Sequence, residues 1–379
     1  MRVALDLRAL VGEPTGMARY LSGLIPELVR SSRGVSFTGF AHRPIAKSAH
    51  AFLPGVPVVT GRRWPSGLLW QQVRLPGLLA SHRADLLHGT LYTIPLRLKI
   101  PTVLSVADLT TALMPEAHTA YNRLAAAPLI KASCRRATRV IALSEATRQD
   151  LVRLGYCGAE KIRVVPGAAG SAYRPAKNES ERSAIRARFA SGQPYLLSVG
   201  TVEPRKNLPR LLAAYALARG RLGTRTPPLL IAGPPGWKTG SLSRRLDRGV
   251  TGVHYLGRVS DSDLALLYRG AALFLYVSLY EGFGLPVVEA MQSGAPTVTS
   301  NTSSLPEAAA GGARLVCPSN ESEIAEAMVS LWNSPAARKR LAAQGLRGAR
   351  RFSWDASARK TLAVYREAYE EGIHGHDRD

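Results

Sequence analysis

Glu281-Gly-Phe-Gly-Leu-Pro-Val-Val-Glu289 follows the apolar run Ala271-Ala-Leu-Phe-Leu-Tyr-Val277, and the two together set the fold class. A continuous apolar run of that length suits a strand of a parallel sheet covered on both faces. Pro286 has the fixed φ that suits a first helical position, and Gly294 can end the helix in a left-handed conformation. Gly282 and Gly284 let the backbone approach a ligand with no Cβ in the way. The N–H groups that open such a helix make an anion site, worth most when the anion is a phosphate. Glu281 and Glu289 are compatible with a phosphate nearby if they accept hydrogen bonds from sugar and ribose hydroxyls while basic groups neutralise the phosphate.

Those basic groups stand in Val202-Glu-Pro-Arg-Lys-Asn-Leu208, after the apolar strand Tyr195-Leu-Leu-Ser-Val199 and the turn at Gly200. Leu208, Leu211, Leu212 and Tyr215 then recur at helical spacing. Arg205 and Lys206 therefore lie in a strand-to-helix loop, where open α/β sheets bind ligands. An isolated Arg-Lys pair is ordinarily solvated surface. This one gains meaning from sharing its type of loop with the two-glutamate segment.

Outward from these segments the pattern is α/β throughout. At 379 residues the chain exceeds one ordinary core and fits two domains. Strands are expected at Arg2–Leu7, Val35–Phe40, Asp85–His88, Thr102–Val106 and Val140–Leu143. A helix with Met17, Tyr20, Leu21, Leu24, Ile25 and Leu28 on one face follows the first of them. Further strands are expected at 195–199, 228–232, 253–256, 271–277 and 296–300. Alternation of this kind argues for parallel sheets with helices on both faces. The expected division is a first Rossmann-like domain over 1–172, a polar, partly helical junction over 173–193 and a second Rossmann-like domain over 194–355. A last helix over 356–373 carries Leu362, Tyr365 and Tyr369 on the same side as Trp354 and Ala358, and 374–379 reads as a disordered tail.

The strings VGTVEPRKN (199–207) and EGFGLPVVEAMQSGAPTVTS (281–300) resemble those of glycosyltransferase family 4, retaining enzymes of the GT-B fold that use nucleotide-activated sugars. IALSEAT (141–147), VVPGA (164–168), YLGRVSDSDLALLY (255–268) and FSW (352–354) extend the resemblance over nearly the whole chain. It implies two Rossmann-like domains facing each other across a cleft, with the last helix crossing back to the first. It also implies that Glu281 contacts donor-sugar hydroxyls, helped by the backbone of Gly282, Phe283, Gly284 and Leu285, and that Glu289 holds the ribose. Arg205 and Lys206 would bind the diphosphate and stabilise it as it leaves, and Gly16 would bring a backbone N–H to the donor phosphate or the acceptor.

The family pattern is departed from twice. Thr201 stands where many relatives carry a basic residue, and Ala107, just before Asp108, stands where many carry His. The resemblance then implies a thinner phosphate clamp and fewer contacts on the sugar side. The EPRKN form of the loop is similar to that of bacterial mannosyl- and rhamnosyltransferases that build surface polysaccharides, which implies GDP-mannose as donor. Rhamnosyl or glucosyl transfer from a dTDP- or UDP-sugar is the alternative. The expected acceptor is a hydroxyl of a glycan or lipid-linked saccharide.

Composition narrows the setting. Three widely spaced cysteines, Cys134, Cys157 and Cys317, argue against a disulfide framework or zinc site and for a reducing cytoplasm. No apolar stretch approaches the roughly 18–20 residues of a membrane span. The net charge of +23 is spread over both halves, +13 up to Gly170 and +10 beyond it. An Arg-rich composition accounts for it plainly; attraction to an anionic membrane surface or a lipid diphosphate is the sharper reading. Arg123, Lys131, Arg135, Arg136 and Arg139 on one helix-like stretch, and the aromatics of Trp64–Trp70, are the segments suited to such a surface.

Other motifs point elsewhere only weakly. Asp261-Ser-Asp263 has the look of a metal-binding D-x-D, yet it precedes a helical pattern and reads as a cap, so no metal is expected. Ser304 and Glu307 have capping-box spacing, and His88 and His118 are candidates to approach an acceptor. A glycoside hydrolase using Glu281 and Glu289 would leave Lys206 unexplained. A nucleic-acid binder is suggested by charge alone, without the interleaved aromatics such a surface needs.

Overall fold

A computed structural model describes the chain except residues 13–15, 62, 63, 65, 118–125, 237–239 and 377–379. It contains two compact units, residues 1–167 with 353–379, and residues 168–352.

The first unit holds seven parallel strands: β1 Arg2–Asp6, β2 Ser36–Ala41, β3 Val58–Thr60, β4 Leu86–Gly89, β5 Thr102–Val106, β6 Arg139–Ala142 and β7 Ile162–Val164. Their order is β3-β2-β1-β4-β5-β6-β7, so the direction of winding reverses between β1 and β4. β4 and β5 are buried along their whole length, as a sheet covered on both faces requires. β3 and β7 span three residues each, too few to show a periodicity.

The helix Gly16–Ser31 buries Met17, Tyr20, Leu21, Leu24, Ile25 and Leu28, the face its spacing marks. The last helix, Trp354–His376, packs against it. The Trp354 ring lies over Gly23, where an added Cβ would come within 2.0 Å of it, and meets Tyr20 edge-on at 5.4 Å. The helix runs further than the 356–373 expected, and the part of the supposed tail over 377–379 lies outside the described residues.

One candidate residue of this unit is relocated. His88 does not approach a surface: it is 1% exposed in β4. One ring nitrogen is 2.7 Å from the Tyr365 hydroxyl of the last helix and the other 2.7 Å from Ser105 Oγ in β5. Burial pushes this imidazole down to about 3, so it is neutral and both nitrogens are partnered. His118 lies outside the described residues.

Of the helix read over 123–139, Ala127–Arg136 is helical, Arg123 lies outside the described residues, and Arg139 opens β6, where it pairs with Glu367 at 3.3 Å. Lys131 donates to the Leu154 carbonyl and lies over the Tyr156 ring, so this cation is held against its own chain. Trp70 is fully buried, because it sits on the inward face of the helix Gly67–Val73; Leu69 and Val73 are the exposed apolar residues there.

The second unit holds β8 Leu196–Val199, β9 Leu229–Ala232, β10 Val253–Gly257, β11 Leu273–Tyr276, β12 Thr297–Ser300 and β13 Arg314–Val316. They are parallel, in the order β10-β9-β8-β11-β12-β13, with the reversal between β8 and β11. The residues read as a junction belong to this unit. The helix Glu179–Ala190 within them packs on the helix Asp261–Gly270, with Ile185 buried and Arg186 donating to the Gly270 carbonyl. Glu181 pairs with both Arg174, at 3.0 Å, and Arg269, at 2.7 Å, and the second pair ties the segment to the helix Asp261–Gly270.

Candidate active site

The loops at the reversal between β8 and β11 bring the two segments singled out above together. Asn207 makes the turn possible. It takes the left-handed φ of +59°, which Asn tolerates, and its amide donates to the Val277 carbonyl at 3.0 Å and the Pro318 carbonyl at 2.7 Å. The Leu279 N–H donates to the Arg205 carbonyl at 2.9 Å. Arg205 and Lys206, in the short helical turn Pro204–Lys206, are thereby set beside the loop that follows β11.

Glu281 is the centre of the cluster. Its Oε1 accepts from Lys206 Nζ at 2.7 Å and from the Tyr276 hydroxyl at 2.9 Å, and its Oε2 accepts from Arg205. Lys206 Nζ also donates to the Tyr276 oxygen at 2.6 Å. Arg205 reaches a second carboxylate, Glu203, at 2.5 Å. Burial alone would raise the Glu281 carboxyl, but the adjacent Arg205 and Lys206 outweigh it and hold the group at about 2. Burial, and then Arg205, push the Lys206 ammonium below its ordinary value against the pull of Glu281 and Glu203. Burial and the neighbouring Glu281 charge raise the Tyr276 phenol well above its usual range, so it keeps its proton.

The main chain of Glu281 is fixed as firmly. Its N–H donates to Ser303 Oγ at 3.0 Å, and its carbonyl accepts from Ser304 Oγ at 2.8 Å. Ser304 therefore does not form the capping box its spacing with Glu307 suggested; its hydroxyl is spent on the Glu281 carbonyl. Gly284 has φ +104° and caps the helix Leu285–Gln292, which places Pro286 second rather than first in that helix. Gly294, with φ +76°, ends it. Phe283 is buried and meets Phe352 edge-on at 5.3 Å. Glu289 lies within that helix, 2% exposed, and accepts from the Tyr268 hydroxyl at 3.2 Å. A cavity of about 440 Å³ opens beside the same loop, lined by Pro204, Asn207, Pro209, Arg210, Leu279 and Glu321.

Arg205, Lys206 and Glu281 are thus one cluster, while Glu289 is set apart from it on a different hydrogen-bond partner. Gly16 opens its helix in the first unit and is exposed. Glu203 and Tyr276 belong to the cluster and were not singled out by motif; a Glu and a Tyr expected at buried positions each need a polar partner, and that need is the only signal for them. The D-x-D motif is also resolved. Ser260, not either Asp, is the N-cap, accepting from the Asp263 N–H at 3.0 Å, and the Asp263 side chain pairs with Arg188 at 2.6 Å.

Two family models match the chain, that for glycosyl transferases group 1 over residues 180–347 and that for glycosyltransferase family 4 over residues 14–169. The chain is 31% identical over 290 residues to O-antigen chain mannosyltransferase B of Escherichia coli, with 76% of each chain covered. The protein belongs to the family 4, group 1 glycosyltransferases. A stretch of 120 residues of this transferase is 42% identical to the MMP alpha-(1->4)-mannosyltransferase of Mycolicibacterium hassiacum, covering 31% of this chain and 29% of that one. Among solved structures, the Anabaena protein HepE in complex with UDP and glucose superposes with a TM-score of 0.76 at 20% identity, over 96% of this chain and 98% of that one. That likeness is one of fold, and the transferase has the two Rossmann-like, parallel-sheet domains of the GT-B class.

Proposed function

We propose that the transferase moves a mannosyl group from GDP-mannose to a hydroxyl of a glycan or lipid-linked saccharide in surface-polysaccharide synthesis, with retention of configuration and without a metal. The observation that carries the donor side is the Arg205–Lys206–Glu281 cluster at the reversal between β8 and β11. It offers two cations to a diphosphate where an open parallel sheet binds its ligand. The names of two relatives, both mannosyltransferases, support the choice of sugar.

In this reading the diphosphate takes over Lys206 and Arg205, and Glu281, displaced from them, accepts hydrogen bonds from the sugar. Glu289 takes the ribose, with the backbone of Gly282–Leu285 beside the sugar and the Gly16 N–H serving the phosphate or acceptor. The nucleoside diphosphate leaves from the face the acceptor enters, and one of its phosphate oxygens takes the acceptor proton. Catalysis is then mostly positioning and charge stabilisation. Hydrolysis by the two glutamates is disfavoured because it gives no role to Arg205 and Lys206, the two cations held on Glu281.

A thermal-shift panel of GDP, UDP, dTDP and ADP with their sugar conjugates tests the donor, since a ligand that binds only the folded state raises the melting temperature with saturation. GDP and GDP-mannose are expected to stabilise most. A larger shift with UDP or dTDP would replace mannose by glucose or rhamnose as the sugar.

No helix among the described residues is long and apolar enough to cross a membrane. We place the protein in the cytoplasm, on the inner face of the cytoplasmic membrane. Leu69 and Val73, 49% and 63% exposed on one helix face, stand beside the exposed Arg74, a pairing that suits anionic headgroups. Co-sedimentation with vesicles is expected to require anionic lipid and to weaken in Leu69→Asp/Val73→Asp; equal binding of that variant would rule this face out.

A further inference from the structure

We propose that Tyr276 is a positioning residue for glycosyl transfer, its hydroxyl holding the Lys206 ammonium toward the donor diphosphate while Glu281 is released to the sugar. The inference rests on the assignment of Lys206 to the donor phosphates.

The geometry gives Lys206 two partners of different kinds. Glu281 Oε1 is 2.7 Å from Nζ and the Tyr276 oxygen is 2.6 Å from it. The phenol belongs to β11, a strand buried on every residue, and its ring stacks on Phe274 at 5.8 Å with 20° between the planes. The ammonium stands at the hydroxyl end of the ring, 4.9 Å from its centroid. The lysine stem is fixed too: it runs along Gly200, where an added Cβ would meet Lys206 Cε at 3.2 Å. Glu281, by contrast, lies in the loop beyond the strand.

A diphosphate arriving at Lys206 repels the Glu281 carboxylate and leaves the neutral phenol unopposed. The carboxylate is the partner that departs. The phenol then keeps the ammonium aimed, and the hydrogen bond it donated to Glu281 becomes available to a phosphate oxygen. With no such anchor, Lys206 would lose both partners at once and its four-carbon stem would regain rotamers that transfer cannot use.

Tyr276→Phe keeps the ring and its stacking and removes one oxygen. The experiment measures Kd for GDP against guanosine, with UDP against uridine in parallel, then kcat, KM and the pH dependence of kcat for transfer. The expected result is unchanged nucleoside affinity with diphosphate affinity down about tenfold, the loss typical of one hydrogen bond to a charged group. kcat should fall as well.

The groups facing the ammonium are Arg205 and Glu203 on its own loop, Tyr276 on β11 and Glu281 beyond it. With the phenol oxygen gone, the charged form has one acceptor fewer, so the alkaline limb of the profile should move to lower pH.

A lower melting temperature with the diphosphate-to-nucleoside ratio, kcat and the alkaline limb all unchanged would show Tyr276 to be structural only and overturn the proposal. Lys206→Ala in the same assay separates the two claims. If it keeps full diphosphate affinity, the phosphate assignment fails and the positioning role with it. If Lys206→Ala loses affinity while Tyr276→Phe does not, the positioning role alone fails.

Discussion

Lys206→Ala is expected to lower turnover by about ten- to hundredfold while leaving the protein folded. The substitution removes charge-assisted hydrogen bonds worth roughly 1.5–3 kcal/mol, and that energy converts to one to two decades in rate if it is realised as the diphosphate leaves. Folding should survive because Glu281 keeps Arg205 and Tyr276 as partners, so no buried carboxylate is left uncompensated. Steady-state kinetics with a competent donor decide it. A variant that turns over near the wild-type rate would contradict the phosphate assignment.

Glu281→Ala is expected to impair transfer severely while nucleoside diphosphate binding stays nearly intact. The carboxylate is the group that occupies Lys206 and Arg205 in the empty protein, so its removal takes a competitor away from the phosphates. The cost falls on stability instead. Breaking a buried ion pair by deleting one partner typically costs about 3–5 kcal/mol, because the other charge is left behind. Glu203, 3% exposed and still paired with Arg205, should keep the loss toward the lower end.

The pH dependence has a definite sign. The Glu281 carboxyl is held at about 2 against an ordinary 4.5, so its contribution is complete above about 4.5 and is lost as pH falls from there through 2. Denaturation midpoints of wild type and variant should therefore converge across that window. Equal loss of sugar transfer and diphosphate binding would contradict the sugar-contact role.

The α/β class and most of the strands were legible because buried parallel strands are apolar runs, and Ala271–Val277 and Val140–Leu143 are unambiguous as such. β3, β7 and β13, at three residues each, carry too little pattern to register. The 173–193 segment looked like a junction because it is polar, but polarity there serves ion pairs to Arg174 and Arg269 that only packing reveals. The site was legible as a pair of loops. The spacing of Arg205, Lys206 and Glu281 placed them at strand ends, and the sheet order then made those ends neighbours. Motif spacing could not show that the glutamate rests on the cations rather than awaiting a sugar. Nor could it show that Tyr276, the last residue of an apolar strand, turns its hydroxyl to both of them. Such pairings depend on side-chain direction across β8 and β11, a property of the assembled sheet.

The most direct test of a donor diphosphate bound on Lys206 and Arg205 is a crystal structure of the protein with GDP, or with whichever nucleoside diphosphate stabilises it most. The expected result is a phosphate oxygen within hydrogen-bond distance of Lys206 Nζ and Glu281 no longer on that nitrogen. A diphosphate bound elsewhere, with the Lys206–Glu281 pair still at 2.7 Å, would contradict it.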